Sequence, residues 1–217
     1  MDLFKASVDE LAQYIDFLLQ FSHSPRQAID TLVVKDPDAA AKIRPKLLGY
    51  MGMSVGLAVV LTLLGAAVGM APDYSPIVTR IGSIDKKMLP FAVVVLVVIS
   101  AVVWHGLATA VGWLLARVSN TIPFRGKLAI SINAGFAFAS WYLPLFTAVL
   151  VLIRVAALHL PKVPPAVFLI GVLPLSLLFL SHFVLAFATA HRVSAVYTFT
   201  LFGFTFVGLM YLNDLLK

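Results

Sequence analysis

Five long apolar runs, none of which contains a charged residue, set the limits on what this sequence can fold into. A helix crosses the hydrocarbon core of a bilayer with about 20 residues at 1.5 Å per residue. The five runs reach this length and cover 48–70, 89–116, 128–153, 166–190 and 193–212. Because backbone groups cannot stay unpaired in hydrocarbon, each run is predicted to be a helix rather than a strand. The predicted fold class is therefore all-α, a polytopic integral membrane protein with five transmembrane helices.

All charged residues lie outside these five runs. Hydrophobic residues make up 61% of the 217 residues and charged residues 12%. This composition excludes a soluble globular domain, in which about a quarter of the residues are charged. The net charge is +6, but residues 1–47 carry −1 and the remaining residues carry +7. A positive excess in short gaps between apolar runs is typical of membrane loops, so we expect no nucleic-acid partner. The absence of cysteine excludes disulfides and thiolate metal sites.

The loop charges predict an orientation for the bundle. With the N-terminus inside, the inner segments carry 10 Lys and Arg residues and the outer segments carry 6. Because cytoplasmic loops are enriched in these residues, we expect a cytoplasmic N-terminus and an external C-terminus in the cell membrane. Residues 1–5 lack the basic start of a signal peptide, so the N-terminal segment is expected to be retained. Spans that are rich in Ala, Val and Leu suggest a bacterial inner membrane.

Residues 1–47 are predicted to form a helical collar at the cytoplasmic surface. Its first helix is amphipathic, with an apolar face of Phe4, Val8, Leu11, Ile15, Leu18 and Leu19 and a polar face of Asp9, Glu10, Gln13, Asp16 and Gln20. Such a helix either docks a protein partner or lies on the chain's own membrane domain or at the membrane interface. Because its polar face is acidic, attraction to anionic lipid is not expected to hold it.

Two prolines predict further helix starts within the collar. Ser24-Pro25 and Asp36-Pro37 each place a capping residue before a proline in the first helical turn. Pro45 is expected to separate the second of these helices from the first span. Residues 1–47 and 48–213 are thus predicted to be the collar and the membrane domain.

This layout resembles the Yip-domain family, the Ypt/Rab-interacting membrane proteins. The resemblance covers roughly residues 22–212 and rests on the five spans, the cytoplasmic N-terminus, the entry helix Ser24-Pro25-Arg26-Gln27-Ala28-Ile29 and an aromatic-proline break in the third span. Eukaryotic members are linked to vesicle trafficking and Rab GTPases, and this chain lacks their long soluble N-terminal region. The resemblance implies a membrane scaffold or adaptor that organises partner proteins or lipids without catalytic chemistry.

Two histidines are the only members of the Asp, Glu, Lys, Arg and His group inside the predicted spans. His105 and His182 lie about 11 and 8 residues from the cytoplasmic ends, or roughly 16 and 12 Å deep. With Ser140 and Trp141 at a similar level, they are predicted to form a polar site for a head group, a proton or a small solute. Alternatively, each histidine donates to a neighbouring helix and stabilises packing. Two histidines without a carboxylate or cysteine predict no metal site, and no cofactor is expected.

Basic residues precede the third span. Arg125 and Lys127, together with Asn133, are predicted to contact the head group of an anionic lipid. The alternative is a polar helix end that simply faces the headgroup layer.

Small residues and prolines mark the packing of the spans. The GxxxG repeats Gly52–Gly56 and Gly65–Gly69 predict close approach of a second backbone, either from this chain or from a second copy in a homodimer. Pro144 and Pro174 each remove a backbone donor inside a span. The carbonyls that they free are expected to find partners nearby, at Ser140 or at Ser176.

Residue types and motifs that are absent from the sequence argue against two functional classes, ion-coupled transporters and enzymes. No Asp or Glu lies in any of the five runs, which argues against proton- or sodium-coupled transport. No nucleophile elbow, P-loop or HExxH motif is present, so the chain is not expected to be an enzyme. The alternative to a scaffold is a small transporter or lipid-handling protein that uses the His105 and His182 layer.

Overall fold

The described part of the chain is helical throughout. The computed structural model describes residues 2–32, 37–67, 124–159 and 165–215, together with scattered positions between 95 and 114. The helices in these ranges are α1 (Asp2–His23), α2 (Pro25–Leu32), α3 (Pro37–Ala67), α4 (Phe124–His159), α5 (Pro165–His191) and α6 (Ala195–Leu215). No strand occurs within these ranges, and the all-helical prediction is confirmed for them.

Three of these helices are long and apolar enough to cross a membrane. The apolar segments are Ala39–Gly65 in α3, Leu128–Ile153 in α4 and Leu173–His191 in α5. The predicted third span, 128–153, lies within α4. In α6 the described apolar segment, Ala195–Phe204, is shorter than a bilayer requires. The predicted second span, 89–116, lies largely outside the described residues, so five spans stay a prediction.

The first span begins earlier than predicted. The start of α2 at Pro25 and the start of α3 at Pro37 are confirmed, but α3 then runs without a break through Pro45. The separation expected at Pro45 is therefore wrong. A proline inside a helix costs about 3 kcal/mol, and burial of neighbouring side chains offsets that cost. Leu47, two residues after it, is fully buried, and the boundary drawn between collar and membrane domain at 47 falls inside one helix.

A tight turn joins α5 to α6, in the two-residue gap between the predicted runs 166–190 and 193–212. The Val193 N–H donates to the Ala188 carbonyl at 3.0 Å, and the Arg192 N–H donates to the Thr189 carbonyl at 3.2 Å. Arg192 has a left-handed φ of 54°, so this pair of bonds is a Schellman helix end. Ser194 then caps α6 by accepting the N–H of Tyr197 at 3.1 Å.

Replacing Arg192 by glycine is expected to stabilise this turn. A non-glycine residue in the left-handed conformation is disfavoured by about 1–2 kcal/mol, and glycine removes that strain at some cost in chain entropy. We expect a net gain of about 1 kcal/mol in the free energy of unfolding, measured by SDS-induced unfolding in mixed micelles. Ser194→Ala, which removes the cap, should lower it by about 1 kcal/mol. An unchanged or less stable Arg192→Gly protein would contradict this account of the turn.

The N-terminal helices belong to the same core as the spans. α3 and α4 share the most extensive interface, and α2 packs chiefly on α5. One cluster of buried side chains joins residues of α1, α2 and the spans, including Phe17, Phe21, Ile29, Trp141 and Phe187. The predicted collar is therefore packed into the membrane domain rather than lying apart from it.

The packing face of α1 differs from the predicted one. Tyr14, Phe17 and Phe21 are buried at 4% exposure or less, whereas Ile15 and Leu19 are about half exposed. The helix and its docking on the bundle agree with the interpretation that it lies on the chain's own membrane domain. The side chains that dock are aromatic, and they pack against aromatic rings of the spans.

Candidate functional site

Two of the predicted site residues hold the C-terminal end of α1. The rings of Trp141 in α4 and His182 in α5 stack at 4.6 Å between centroids, with an angle of 6° between their planes. The Trp141 indole Nε1–H donates to Ser22 Oγ at 2.8 Å, and His182 Nε2 lies 2.9 Å from the Ser22 carbonyl oxygen. We call Ser22, Trp141 and His182 the Ser22 clasp. It joins α1 to two spans at once.

His182 has a second carbonyl neighbour within its own helix. Its Nδ1 lies 2.9 Å from the Leu178 carbonyl oxygen. Each ring nitrogen of His182 thus faces a carbonyl oxygen, and an N–H on either nitrogen donates to the carbonyl that it faces. Trp141 is 1% exposed and His182 6% exposed. These polar atoms are thus closed off by the chain itself.

A second connection ties α1 to the spans through the proline kink of α4. Pro144 lacks an N–H, so the Ser140 carbonyl, four residues before it, has no helical donor. Ser54 of α3 supplies the donor, with its Oγ 2.6 Å from that carbonyl oxygen. The partner of the freed carbonyl is therefore a residue of another helix. The Ser140 hydroxyl, which was one expected partner, lies instead 3.8 Å from Met51 Sδ.

Tyr14 completes this second connection. Its phenol oxygen lies 2.7 Å from Ser54 Oγ, which also has the Tyr50 carbonyl at 2.8 Å. Since the single hydroxyl hydrogen of Ser54 is directed at carbonyls, the Tyr14 O–H is the donor to Ser54. Burial raises the pKa of Tyr14 above its ordinary value, and the hydrogen bond to Ser54 partly opposes that shift. A neutral phenol is the form that can donate here.

Aromatic rings surround both connections. Phe21 lies 5.3 Å from Trp141 and 6.4 Å from His182, measured between ring centroids. Phe17 stacks on Tyr50 of α3 at 5.0 Å. Offset and tilted ring pairs at such distances add about 0.5–1.5 kcal/mol each beyond their buried area. The rings therefore hold α1 at a fixed position on the bundle.

The structure brings together three of the four residues predicted for the polar layer. Ser140, Trp141 and His182 take part in the connections just described. His105 lies elsewhere, stacked on Phe136 at 3.9 Å and packed against Gly135. Residues 136 and 141 point to different sides of α4. The His105 ring, which stacks on Phe136, and the His182 ring, which stacks on Trp141, therefore contact different residues.

The predicted contact for anionic lipid is placed only in part. Asn133 is fully buried, and its side-chain N–H donates to the Ala40 carbonyl of α3 at 3.0 Å. The backbones of Arg125 and Lys127 belong to the first turn of α4, while their side chains lie outside the described residues. The lipid contact of these two basic residues stays a prediction.

A further polar pair lies where α4 and α5 meet near the turn to α6. Ser131 Oγ is 3.2 Å from His191 Nε2, and both residues are fully buried. His191 lies in the two-residue gap between the predicted runs 166–190 and 193–212, and only this position beside an apolar run could have indicated its burial. Gly112 packs directly against Ser131 and Phe187.

Gly112→Ala is expected to destabilise the bundle at this contact. An added Cβ would lie 2.8 Å from Phe187 Cε1 and 2.9 Å from Ser131 Cβ, and both neighbours are fully buried. Overpacking of this kind costs about 1–3 kcal/mol. Gly52→Ala is the matched control, since no described atom lies within 4 Å of its added Cβ. SDS-induced unfolding should separate the two variants, and equal stabilities would contradict the close packing at Gly112.

Aromatic side chains also line a cavity on the side of α4 and α5 next to α6. Its volume is about 510 Å³, within the range of about 300–1,000 Å³ that ligand pockets occupy. Tyr142, Ser176, Leu180 and Gly203 form part of its wall. The other six lining residues are phenylalanines: Phe138, Phe146, Phe179, Phe183, Phe199 and Phe202. Such a surface accepts apolar chains or rings and offers few polar contacts.

Within the described residues no three His, Cys, Asp or Glu side chains come close enough to hold a metal ion. Comparison with known proteins finds no matching protein family, no matching curated protein and no matching solved structure.

Proposed function

We propose that the chain is a non-catalytic integral membrane scaffold of the Yip type, with five spans, a cytoplasmic N-terminus and an external C-terminus in a bacterial inner membrane. The observation that carries the proposal is the use of Ser140, Trp141 and His182 to attach α1 to the spans. Polar groups that bond between helices serve packing and position. Because these groups already bond between helices, they favour a structural role over the binding of a substrate.

The polar face of α1 is the surface that best suits a protein partner. Asp9, Gln13 and Asp16 are exposed on it, while the aromatic face holds the helix in place. A surface that is already ordered loses little conformational entropy when a partner binds. Its acidic character suits a partner with a basic surface, because complementary charge speeds association and excludes wrong partners.

Charge reversal on α1 tests this proposal. The full chain is extracted with its membrane in polymer-bounded nanodiscs, and captured proteins are cross-linked and mapped. Wild type and Asp30→Lys, which reverses an exposed charge on α2, should retain a salt-sensitive partner cross-linked to residues 9–16. The double variant Asp9→Lys/Asp16→Lys should lose it. Recovery of lipids and chaperones alone, or an unchanged partner in the double variant, would overturn the proposal.

The aromatic cavity supports a second candidate function, the handling of a lipid or another apolar ligand. Gly203 lines the cavity and has no atom within 4 Å of an added Cβ, so Gly203→Phe fills the space. Gly208→Phe is the control, because Gly208 also has open space but lies outside the cavity lining. Native mass spectrometry should show loss of a retained lipid in Gly203→Phe only. Equal retention in both variants would exclude this function.

A further inference from the structure

Four aliphatic side chains on one side of α1 are exposed. Val8, Leu11, Ile15 and Leu19 recur at intervals of three and four residues and so share one side of the helix. Their exposed fractions are between 47 and 55%. Leu18, beside them, is half-buried and packs against the buried core. We call these four residues the aliphatic stripe.

The position of α1 places this stripe beside the apolar part of the bundle. Ser54, Trp141 and His182 all bond to α1, and all three lie inside membrane-capable segments. A helix held at that level cannot stand above the membrane surface along its whole length. Its outward sides must therefore meet lipid, headgroups or water.

The outward sides of α1 differ in chemistry. The aliphatic stripe flanks one edge of the buried aromatic face, and Asp9, Gln13 and Asp16 lie toward the other edge. Three environments are thus available to three faces: protein for the rings, an apolar medium for the stripe, and water for the carboxylates. This division is the pattern of a helix that lies in the membrane interface.

The composition of the stripe distinguishes lipid from a protein partner. It holds only Val, Leu and Ile, whereas protein interfaces concentrate their binding energy in Trp, Tyr and Arg, and Leu and Val are under-represented there. The aromatic residues Tyr14, Phe17 and Phe21 of the same helix all face the bundle. The stripe is also exposed to the same degree as the outer side chains of α3 at Leu57, Val60 and Leu64, which range from 39 to 58%.

We propose that the aliphatic stripe of α1 is a lipid-contact surface that lies among the acyl chains of the leaflet on the N-terminal side. The inference does not rest on the proposed scaffold function, which concerns the acidic face. Because the polar face carries exposed carboxylates, apolar burial and not attraction to anionic headgroups holds the stripe in the membrane. Contact with the acyl chains is therefore independent of the lipid charge.

The experiment uses the absence of cysteine from the chain. Single cysteines are introduced into the full protein at Val8, Leu11, Ile15 and Leu19 and, as controls, at Asp9, Gln13 and Asp16, and each is spin-labelled. The proteins are reconstituted into bilayers of phosphatidylcholine alone and with one third phosphatidylglycerol. Accessibility is measured to oxygen, which concentrates in the acyl chains, and to a water-soluble nickel chelate.

The relative accessibility of the labels to oxygen and to nickel decides whether the aliphatic stripe contacts lipid. We expect labels on the stripe to be several-fold more accessible to oxygen than to the nickel chelate, the control labels to show the reverse, and both patterns to be the same in the two lipid mixtures. Nickel accessibility at the stripe equal to that at Asp16 would overturn the inference in favour of water. Protection from both reagents would overturn it in favour of a second copy or another protein. Loss of the acidic-face partner in the separate capture experiment leaves these accessibilities unchanged.

Discussion

Replacing Phe21 by alanine is expected to lower the free energy of unfolding by about 3–5 kcal/mol, the usual cost of removing a buried phenyl ring. Phe21 is fully buried on α1 and contacts the rings of Trp141 and His182. The alanine side chain would leave a cavity between α1 and the two spans, since the backbone is held by the Ser22 clasp. SDS-induced unfolding in mixed micelles measures the change.

Leu19→Ala is the matched control for this prediction. Leu19 lies on the same helix, two residues away, but is 55% exposed. Its replacement should change the free energy of unfolding by no more than about 0.5 kcal/mol, as is usual for exposed positions. The opposite ranking, with Leu19→Ala the more damaging variant, would show that the aliphatic stripe and not the aromatic face docks on the bundle.

The two faces of α1 explain why its helix but not its packing could be predicted. Val8, Leu11, Ile15 and Leu19 follow helical spacing, which indicates an amphipathic helix, and the structure has one from Asp2 to His23. In a membrane protein, however, lipid is as apolar as the protein core, so hydrophobic spacing does not tell which apolar face meets protein. That choice depends on ring partners that are distant in sequence.

Replacing Trp141 by alanine is the second change with a large expected effect. Trp141 is 1% exposed, stacks on His182 and donates to Ser22. Loss of the ring and of its hydrogen bond should cost about 3–5 kcal/mol. Because the stacking on His182 and the hydrogen bond to Ser22 are both lost, backbone amides of residues 14–22 should exchange hydrogen faster, as measured by mass spectrometry in nanodiscs.

Trp141→Phe separates the hydrogen bond from the packing. The phenyl ring keeps most of the apolar contact but cannot donate to Ser22, so a loss of about 0.5–1.5 kcal/mol is expected. Amide exchange in α1 should rise less than in the alanine variant. If Trp141→Ala left exchange in residues 14–22 unchanged, the clasp would not be what holds α1.

The helix starts and one span could be predicted from neighbouring residues in the sequence. Contacts between residues that are distant in the sequence could not. Pro25, Pro37 and the apolar run 128–153 each act through their own neighbours in the chain. The carbonyl freed by Pro144 could be foreseen from the sequence, because proline always lacks its N–H. Its donor, Ser54, could not, because the rotation and depth of α3 against α4 decide which side chain reaches it.

The same reason limits the prediction of the polar layer. Depth along a span can be counted from the sequence, and Trp141 and His182, which are predicted at similar depths, stack on each other. The direction in which a residue points depends on how each helix is rotated about its axis. His105 therefore has Phe136 as its ring partner, although its predicted depth is similar.

The central claim, that α1 is held on the spans by its aromatic face and the Ser22 clasp, is tested most directly by a double-mutant cycle. Ser22 and Trp141 are 119 positions apart and are joined by one hydrogen bond of 2.8 Å. The free energy of unfolding is measured in mixed micelles for wild type, Ser22→Ala, Trp141→Phe and the double variant. A coupling of about 0.5–1.5 kcal/mol is predicted. Effects that add to within about 0.3 kcal/mol would contradict the claim.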